Sequence, residues 1–360
     1  MKSAHGTRLF RLLACASLAL PGQLPAQTSG GLATEEAATP VERARHAGVV
    51  TIYYENDYFG GTDENYTNGA KISWLSADLS AWGRTGWQHG LLTSLPFVNQ
   101  ADTQKNFGIS LGQQIYTPTD TVLVNPDPSD RPYAGWSYFE LSFISKNSSR
   151  ADIVSIQLGI LGPSSWAEKT QRTVHDAIGA DTPSGWDYQL GDEPGINLIY
   201  ERRYRAYARA FGDALGFDFI PVAGVSLGNV QTFANLGAQV RIGLNLPTDF
   251  GVQLARGGAI GAGPGDDLDP RVAVDRSFSI FVFAGADGRA VAQDIFLDGN
   301  TWRDSRSVDK NTFVADVQSG VGIIWGAWQL TGAYVARSKE FETQPEPWTS
   351  FASVTLSVAY

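Results

Sequence analysis

The chain has 360 residues, of which 43% are hydrophobic and 18% charged, and its formal net charge is −10 at pH 7. The mean hydropathy is −0.15, and after the N-terminal region no run of about 18 apolar residues could form a membrane-spanning helix. The acidic balance argues against nucleic acid as a partner. For an exported chain, two classes remain: a periplasmic or secreted protein, or a closed β-barrel.

The N-terminal residues have the layout of a secretory signal peptide. Basic residues precede a short apolar run at 12–20, and Ala26 follows as the small residue at which cleavage is expected. Cleavage there would remove Cys15, the only cysteine, so the mature chain would have no disulfide and no thiol chemistry. We therefore expect a signal peptide over 1–26 and a leader segment over 27–47.

The middle of the chain contains about a dozen segments with the alternation of a half-buried strand. They lie near 48–56, 66–77, 105–117, 135–147, 151–162, 194–207, 214–228, 231–245, 275–297, 311–325, 326–338 and 350–360. An even count is typical of a single-chain bacterial barrel with both termini in the periplasm. The stretch 275–297 could instead be two strands broken at 285–288, which would make the count odd.

Strand parity assigns each connection to one side of the barrel. The connections after odd-numbered strands are predicted to lie outside the cell, and they are 57–65, 118–134, 163–193, 229–230, 298–310 and 339–349. The connections 78–104 and 246–274 would face the periplasm. Both are long for periplasmic turns, and the sequence offers no reason for their length.

The first outside loop, 55–69, is dense in oxygen-bearing side chains. Carboxylates, amides and backbone carbonyls suit a hard divalent cation, above all calcium, although the spacing is not that of an EF-hand. A simple solvated loop is the alternative. Asn56 and Asp57 favour a site, because they lie at the end of the first strand, where the barrel can hold them rigidly.

The third outside loop is predicted to contain a helix over 166–178. Ser165 and Glu168 have the spacing of a capping box, and Gly179 is suited to end the helix. Gln171 and His175 are four residues apart and so share a face. A histidine is the usual group for taking a proton from water near neutral pH, although a surface histidine on an amphipathic helix is the plain alternative.

Arg131 lies at the end of the second outside loop, before the fourth strand. Its guanidinium could contact a phosphate of a substrate, or it could pair with Asp130 as part of the structure. Pro132 and Gly135 indicate a shaped entry into the strand, which favours the structural interpretation. No Gly-x-Ser-x-Gly signature of a serine hydrolase is present.

The C-terminal segment favours the barrel over a sandwich. Its apolar residues are Ala352, Val354, Leu356, Val358 and Tyr360, and they alternate with Ser353, Thr355, Ser357 and Ala359. Such alternation indicates a strand with one face against hydrocarbon. The terminal aromatic is also typical of the last strand that the outer-membrane assembly machinery recognises. We therefore predict an all-β, antiparallel transmembrane barrel over 48–360.

Four segments together resemble the outer-membrane lipid A 3′-O-deacylases. They read Glu55-Asn56-Asp57-x-Phe59, Thr62-Asp63-x-x-Tyr66-Thr67-x-Gly69, Asp130-Arg131-Pro132-Tyr133-Ala134-Gly135-Trp136 and Gln171-x-x-x-His175. The resemblance implies calcium-dependent removal of the 3′-acyloxyacyl group of lipid A, at a site between the barrel wall and a loop helix. It marks Asn56, Asp57, Thr67, Gln171 and His175 as site positions, with lipopolysaccharide as substrate.

The chain departs from this family at one position. A characterised type of family member has an active-site lysine a few residues beyond the stretch that here reads Tyr116-Thr117-Pro118, and this region reads Val122-Leu123-Val124. Either Arg131 substitutes for the lysine or the phosphate contact is lost.

The expected mechanism has His175 as general base on a water and Asp57 as a calcium ligand, with Asn56, Thr67 and Gln171 orienting the ion, water or intermediate. The site would face the cell exterior from the outer membrane. Two alternatives stay open: a channel or scaffold barrel with an ion-binding mouth, and a phospholipase acting on glycerophospholipid esters.

Overall fold

The computed structural model describes residues 47–57, 65–79, 103–179, 181–212, 214–255, 260–273 and 277–360. The predicted signal peptide and nearly all of the predicted leader lie outside these ranges. So do residues 58–64 of the first loop and 80–102 of the second connection. In the described part of the chain, no helix has the length and apolar character to cross a membrane.

The described residues form thirteen strands and two α-helices. The strands are β1 (Val49–Asn56), β2 (Asn65–Leu75), β3 (Gln104–Thr117), β4 (Ala134–Lys146), β5 (Arg150–Leu161), β6 (Glu193–Tyr204), β7 (Tyr207–Phe211), β8 (Leu215–Gly228), β9 (Gln231–Leu244), β10 (Phe278–Asp294), β11 (Phe313–Trp325), β12 (Trp328–Ser338) and β13 (Trp348–Ala359). The helices are α1 (Ala167–Ile178) and α2 (Ile295–Asp298).

The sheet closes on itself as an antiparallel ring. Consecutive strands pair, β1 pairs with β13, and β6 pairs with β8. The short strand β7 continues β6 after a two-residue break and pairs with the first residues of β8, so β6 and β7 occupy one position of the ring. The predicted twelve-strand barrel is confirmed. The stretch 275–297 contributes the single strand β10 rather than two strands.

Side chains alternate between the lumen and the outer surface along each strand. In β13, Val354 and Leu356 are exposed while Ser353 and Ser357 are buried, as the terminal alternation predicted. Neighbouring strands continue the pattern in register: the exposed apolar residues Ile72, Leu111, Phe139 and Leu158 are paired in turn across β2 to β5. We call this row the apolar belt. An outward band of this kind faces hydrocarbon in transmembrane barrels.

Both chain ends of the barrel lie at one rim, where the backbones of Gly48 and Tyr360 exchange two hydrogen bonds. We call this the terminal rim and the opposite end the distal rim. Exposed aromatic residues border the outer surface at both: Trp74, Trp325, Trp328 and Tyr360 at the terminal rim, and Tyr334 and Trp348 towards the distal rim. Aromatic girdles at these two levels are typical of barrels in a bilayer.

The long connection between β9 and β10 folds into the lumen, which explains its length. Its Phe250 and Ile260 are buried. The backbone N–H of Ala255 donates to the carboxylate of Glu55 in β1 at 2.7 Å, and Lys146 in β4 donates to the carbonyl of Pro264 at 2.7 Å. We call residues 246–255 and 260–273 the plug. The N–H of Val252 also donates to Gln239 in β9 at 2.8 Å. Because the plug bonds to strands in several parts of the ring, it fills the interior and braces the wall.

Buried ion pairs fix the plug to the wall. The guanidinium of Arg241 in β9 bonds Asp218 in β8 at 2.6 Å and Asp249 of the plug at 2.5 Å. Arg271 bonds Asp249 at 2.9 Å and Asp269 at 2.7 Å. Burial alone would raise the pKa of Asp249, but the charges of Arg241 and Arg271 outweigh it and hold that pKa below its usual value.

The first prediction concerns Asp249→Asn, which leaves two buried guanidinium groups short of one counter-charge. We expect the variant to lose roughly 3 kcal/mol of stability at neutral pH. Because the folded-state pKa of Asp249 is lowered, its contribution is fully present above about pH 4 and is lost as the pH falls through the folded value. Urea unfolding of the folded barrel in detergent at several pH values measures this.

A matched control is Asp127→Asn, in an exposed turn where the substituted amide can still accept the bonds from Ser129. It should leave the urea midpoint unchanged. Equal midpoints for Asp249→Asn and wild type at pH 7 would show that the plug is not held by this ion pair.

Candidate functional site

Three predicted site residues meet at the distal rim where β1 and β2 end. Asn56 ends β1 and is paired with Asn68 of β2. The N–H of Asp57 donates to the carbonyl of Thr67 at 3.3 Å. The pairing of β2 with β3 shifts by one residue between Tyr66 and Asn68, so Thr67 is the extra residue of a β-bulge. A bulge re-aims a side chain that regular pairing would fix.

The hydroxyl of Thr67 meets that of Thr117, the last residue of β3, at 2.5 Å. Side chains two residues apart in a strand point to the same face. Ile115 and Thr117 are four and six residues after Leu111 of the apolar belt, so they point away from the lumen. Both are nevertheless fully buried. Something outside the barrel wall therefore covers this end of β3.

The cover is helix α1, which packs on the outer surface of the wall. Gly135 of β4 also points outward, and a Cβ placed there would lie 2.1 Å from the Cβ of Ala167 and 2.3 Å from the Oγ of Ser165. Gln113 and Ser137, the next outward pair towards the belt, both donate to the carbonyl of Ser165 at 2.7 Å. Small and polar residues thus replace apolar ones where the helix sits.

A small core outside the lumen holds the helix in place. Ile115, Tyr133, Ala167 and Trp186 form one buried cluster, and the rings of Tyr133 and Trp186 lie 4.8 Å apart. Trp186 belongs to a short 3-10 turn that follows the helix. Its indole Nε1–H donates to the side-chain oxygen of Gln171 at 2.8 Å.

The face of α1 that meets the wall carries polar residues. Over 167–177, the buried positions of the helix are Ala167, Gln171 and His175, which follow one another every four residues. Gln171 is only 3% exposed, and within the described ranges its Nε2 has no hydrogen-bond partner. A buried donor of this kind is costly unless a ligand or water satisfies it. The stripe is therefore better suited to a polar ligand than to simple packing.

His175 is 6% exposed, and its ring is held by its own loop. Its Nδ1 lies 2.6 Å from the carbonyl oxygen of Asp181. A carbonyl can only accept, so Nδ1 carries a hydrogen in this bond and Nε2 is the ring atom that can take a proton. Gly179 ends the helix in the left-handed region (φ 72°), as predicted, and its N–H bonds the carbonyl of His175.

The start of the helix differs from the prediction. The residue that caps α1 is Trp166, in the left-handed region with φ 60°, and its side chain makes no capping hydrogen bond. The hydroxyl of Ser165 donates to the carbonyl of Gly162 at 2.6 Å, and Glu168 pairs with Arg172 at 2.9 Å. The predicted capping box is wrong because a 3-10 turn at 163–165 precedes the helix and already uses the serine.

Arg131 lies in a buried ion pair. Its guanidinium bonds Glu340 at 3.2 Å and stacks over the ring of Tyr116 at 4.8 Å. Glu340 also bonds Arg337, so Arg131 extends a charged network inside the barrel. Asp130 accepts from the backbone N–H of Arg131 rather than from its side chain. This burial favours the structural interpretation of Arg131 over the phosphate contact, although the predicted partner, Asp130, is replaced by Glu340.

The oxygen atoms at the rim are of the chemical type that a hard cation prefers as ligands. The described donors are the amide of Asn56, the carboxylate of Asp57 and the hydroxyl of Thr67, and calcium prefers oxygen ligands. Across the described residues, no group of three or more His, Cys, Asp or Glu side chains could hold a metal ion. Asp63 and Glu64, two further carboxylates of the predicted calcium loop, lie outside those residues.

Sequence patterns did not identify the contacts that hold the rim from inside. The hydroxyl of Tyr66 donates to Glu55 at 2.8 Å, and the other oxygen of this buried carboxylate accepts from Ala255 of the plug. Tyr66 reaches Glu55 only because Gly69 lies between them: a Cβ there would be 1.8 Å from the hydroxyl. Glu55 and Gly69 are paired across β1 and β2. The Glu-Asn-Asp and Tyr-Thr-x-Gly motifs thus share one structural contact.

The closed ring, the outward apolar belt and the helix on the outer wall define the class: a transmembrane β-barrel of the outer-membrane type. The family model described as outer membrane protein LpxR matches residues 12–360, and the chain belongs to this family. Membership and the closed barrel together support a location in the outer membrane.

Comparison with solved structures agrees with this fold. The structure of LpxR from Salmonella typhimurium is similar at a TM-score of 0.67 and 17% identity, covering 86% of this chain and 99% of that one. The β domain of the Bordetella autotransporter BrkA has a TM-score of 0.38 at 9% identity, covering 88% of this chain and 99% of that one. Among curated proteins, the comparison found no match.

The second prediction concerns Gly69→Ala. The added methyl group would displace the Tyr66 hydroxyl from Glu55 and leave a buried carboxylate with one donor fewer. We expect the variant to lose on the order of 1–3 kcal/mol of stability. Thermal unfolding of the purified barrel, followed by gel mobility, measures it.

Gly332→Ala in β12 is the control, because a Cβ there meets no heavy atom within 4 Å. It should unfold at the same temperature as the wild type. If Gly69→Ala also unfolds at the wild-type temperature, the Tyr66–Glu55 contact does not stabilise the rim.

Proposed function

We propose that the chain is a lipid A 3′-O-deacylase, which hydrolyses the 3′-acyloxyacyl ester of lipid A. One observation carries the proposal: α1, whose buried polar stripe contains Gln171 and His175, packs on the outer surface of the wall through a cluster that includes Ile115, two residues before Thr117. A lipid in the leaflet approaches this surface sideways and does not have to leave the membrane. The family to which the chain belongs supports the same function.

His175 acts as the general base. With Nδ1–H held by the carbonyl of Asp181, its Nε2 takes a proton from a water, and the oxygen of that water attacks the ester carbonyl carbon. The bond between this carbon and the ester oxygen then breaks, and the imidazolium returns the proton to the leaving alkoxide. Gln171 holds the water or the oxyanion with its Nε2–H, the donor that lacks a partner within the described residues.

Calcium is proposed as the cofactor. Asp57 would hold the ion, helped by the oxygens of Asn56 and Thr67. When bound there, calcium would polarise the ester carbonyl and stabilise negative charge on its oxygen. The bulge at Thr67 and the end of β1 keep these oxygens on a rigid strand edge, which lowers the cost of organising them.

The level of the site on the wall supports a lipid substrate. Asn56 is paired with Ala352 in β13, and Trp348 of the aromatic border lies four residues further towards the distal rim. At a rise of about 3.4 Å per residue, this is about 14 Å along the strand. The site therefore lies at the level of Tyr334, which is also paired with Ala352, and on the membrane side of Trp348. With both termini in the periplasm, the distal rim faces the cell exterior.

The channel alternative has little support. The plug fills the lumen, and Phe296 of α2 stacks on Tyr116 at 4.1 Å beneath the distal rim. A cavity of about 110 Å³ lies between the plug and the wall. The phospholipase alternative shares the proposed site, and defined lipid substrates separate the two.

The third prediction is that His175→Ala lowers the rate of lipid A deacylation on the order of a hundredfold to ten-thousandfold. The variant removes the only ring nitrogen proposed to take the proton. Mass spectrometry of lipid A incubated with the refolded barrel measures the released 3′-acyloxyacyl group, with phosphatidylethanolamine and phosphatidylglycerol assayed in parallel.

Asp176→Asn, on the exposed face of the same helix turn, is the control and should keep wild-type rates. Wild-type turnover by His175→Ala would remove the histidine from the mechanism. Release of fatty acid from the glycerophospholipids but not from lipid A would favour the phospholipase.

The fourth prediction concerns the metal. Excess EGTA should abolish turnover, added calcium should restore it, and Asp57→Asn should raise the calcium concentration needed for half-maximal activity. Turnover assayed against free calcium measures all three. Undiminished turnover in EGTA, with the protein shown to be free of metal, would rule out calcium as the cofactor.

A further inference from the structure

Three consecutive apolar side chains are exposed in the connection between β3 and β4. Val122, Leu123 and Val124 are 56%, 45% and 64% exposed. We call them the apolar tip. The residues around them are polar, including Asp120 and Asn125. A run of exposed apolar residues in a polar loop is unfavourable unless it contacts a partner.

The apolar tip belongs to the outer wall and not to the lumen. The carbonyl of Thr121, the residue before the tip, accepts from the hydroxyl of Tyr133 at 3.0 Å and from the N–H of Ser184 at 2.9 Å. Tyr133 is part of the buried cluster outside the wall, under α1. Ser184 lies three residues after Asp181, whose carbonyl holds His175. The tip is therefore built onto the same loop segment that positions the proposed base.

The tip is also fixed from both of its ends. The N–H of Val122 donates to Asp120 at 3.0 Å. On the other side, Arg306 donates to the side chain of Asn125 at 2.7 Å and to the carbonyl of Pro126 at 2.8 Å. These bonds hold the three side chains outward, so their exposure is a property of the folded loop.

A second exposed apolar side chain lies at the other end of α1. Trp166 is 73% exposed and has φ 60°, a conformation unfavourable for a bulky residue. It follows Ser165, whose carbonyl accepts from the outward side chains of Gln113 and Ser137. Trp166 therefore leaves the wall just above the apolar belt. The polar stripe of the helix lies between Trp166 and the tip.

We infer that the apolar tip and Trp166 bind the acyl chains of the substrate lipid and set the preference for acyl-chain length. The inference rests on the proposed function and adds the part of the substrate that these residues recognise. Acyl chains are the apolar groups that reach the outer wall, because Trp166 follows Ser165, which bonds the outward pair next to the belt residues Leu111 and Phe139. The chains lie against the tip and the indole while the ester reaches His175.

This arrangement also assigns a role to the departure from the family. The residues in the region of the expected lysine are apolar, and the guanidinium of Arg131 forms an ion pair with Glu340. In this loop, recognition of the substrate therefore depends on hydrocarbon and not on charge. Binding energy that is equal in the ground state and the transition state appears in KM and not in kcat.

The first test replaces the tip with serine through Val122→Ser, Leu123→Ser and Val124→Ser together, with Trp166→Ala as a separate variant. For lipid A with long acyl chains, we expect KM to rise on the order of tenfold in each, with kcat changed less than twofold. For a synthetic lipid A analogue with short acyl chains, KM should stay at the wild-type value. Retention of heat-modifiable gel mobility shows that both variants are folded.

The second test does not require activity. A single cysteine introduced by Leu123→Cys carries an environment-sensitive fluorophore, and Asp127→Cys in the same loop is the matched control. In vesicles of phosphatidylcholine, replacement of the lipid by its mid-chain brominated form should quench the label at 123 at least twofold more than the label at 127.

The two tests separate the inference from the proposed function. Equal quenching at 123 and 127, or an unchanged KM for long chains in the serine variant, overturns the inference even when deacylation is intact. If the wild type cleaves no lipid A, the proposed function fails, and the role in substrate preference fails with it. Quenching at 123 would then show only contact with membrane lipid.

Discussion

The rest of the structure depends on the closed antiparallel register, which leaves each side chain only two directions. A residue in the wall points either into a filled lumen or out towards lipid, and a shift by one residue would exchange the two faces. Outward positions are apolar in the belt, as at Leu111 and Phe139, but small or polar near the distal rim, as at Gly135 and Ser137. That local change makes room for a helix outside the barrel and places polar groups where a lipid can reach them.

The filled lumen supports the barrel wall from inside. The plug enters from the terminal rim, bonds to several strands of the ring and reaches Glu55, the residue before Asn56 and Asp57. Buried ion pairs such as Arg241 with Asp249 are weak evidence for stability by themselves. They do fix geometry, because each charge is satisfied only in one arrangement. The proposed site therefore rests on a wall supported from inside, which suits chemistry that depends on positions accurate to a fraction of an ångström.

Much of the barrel followed from sequence patterns alone. The position of the strands and the outward apolar face of β13 were predictable, since the two-residue alternation of a strand depends little on its partners. Whether 275–297 forms one strand or two was decided only by the structure. The parity argument also placed the β1–β2 loop and helix α1 at the same rim, as the structure confirms. The capping box failed because the same residue types serve a 3-10 turn, and local spacing cannot distinguish the two.

The sequence by itself determined which residues are the candidates for a site: an amide and a carboxylate at the end of a strand, and a glutamine and a histidine on one helix face. Only the tertiary structure decided where these residues lie. Three features need partners distant in the chain: the cover over Thr117 on the lipid side, the burial of Arg131 against Glu340, and the folding of the long connection into the lumen. Contacts of this kind arise from closing the ring and packing its interior, and no local pattern encodes them.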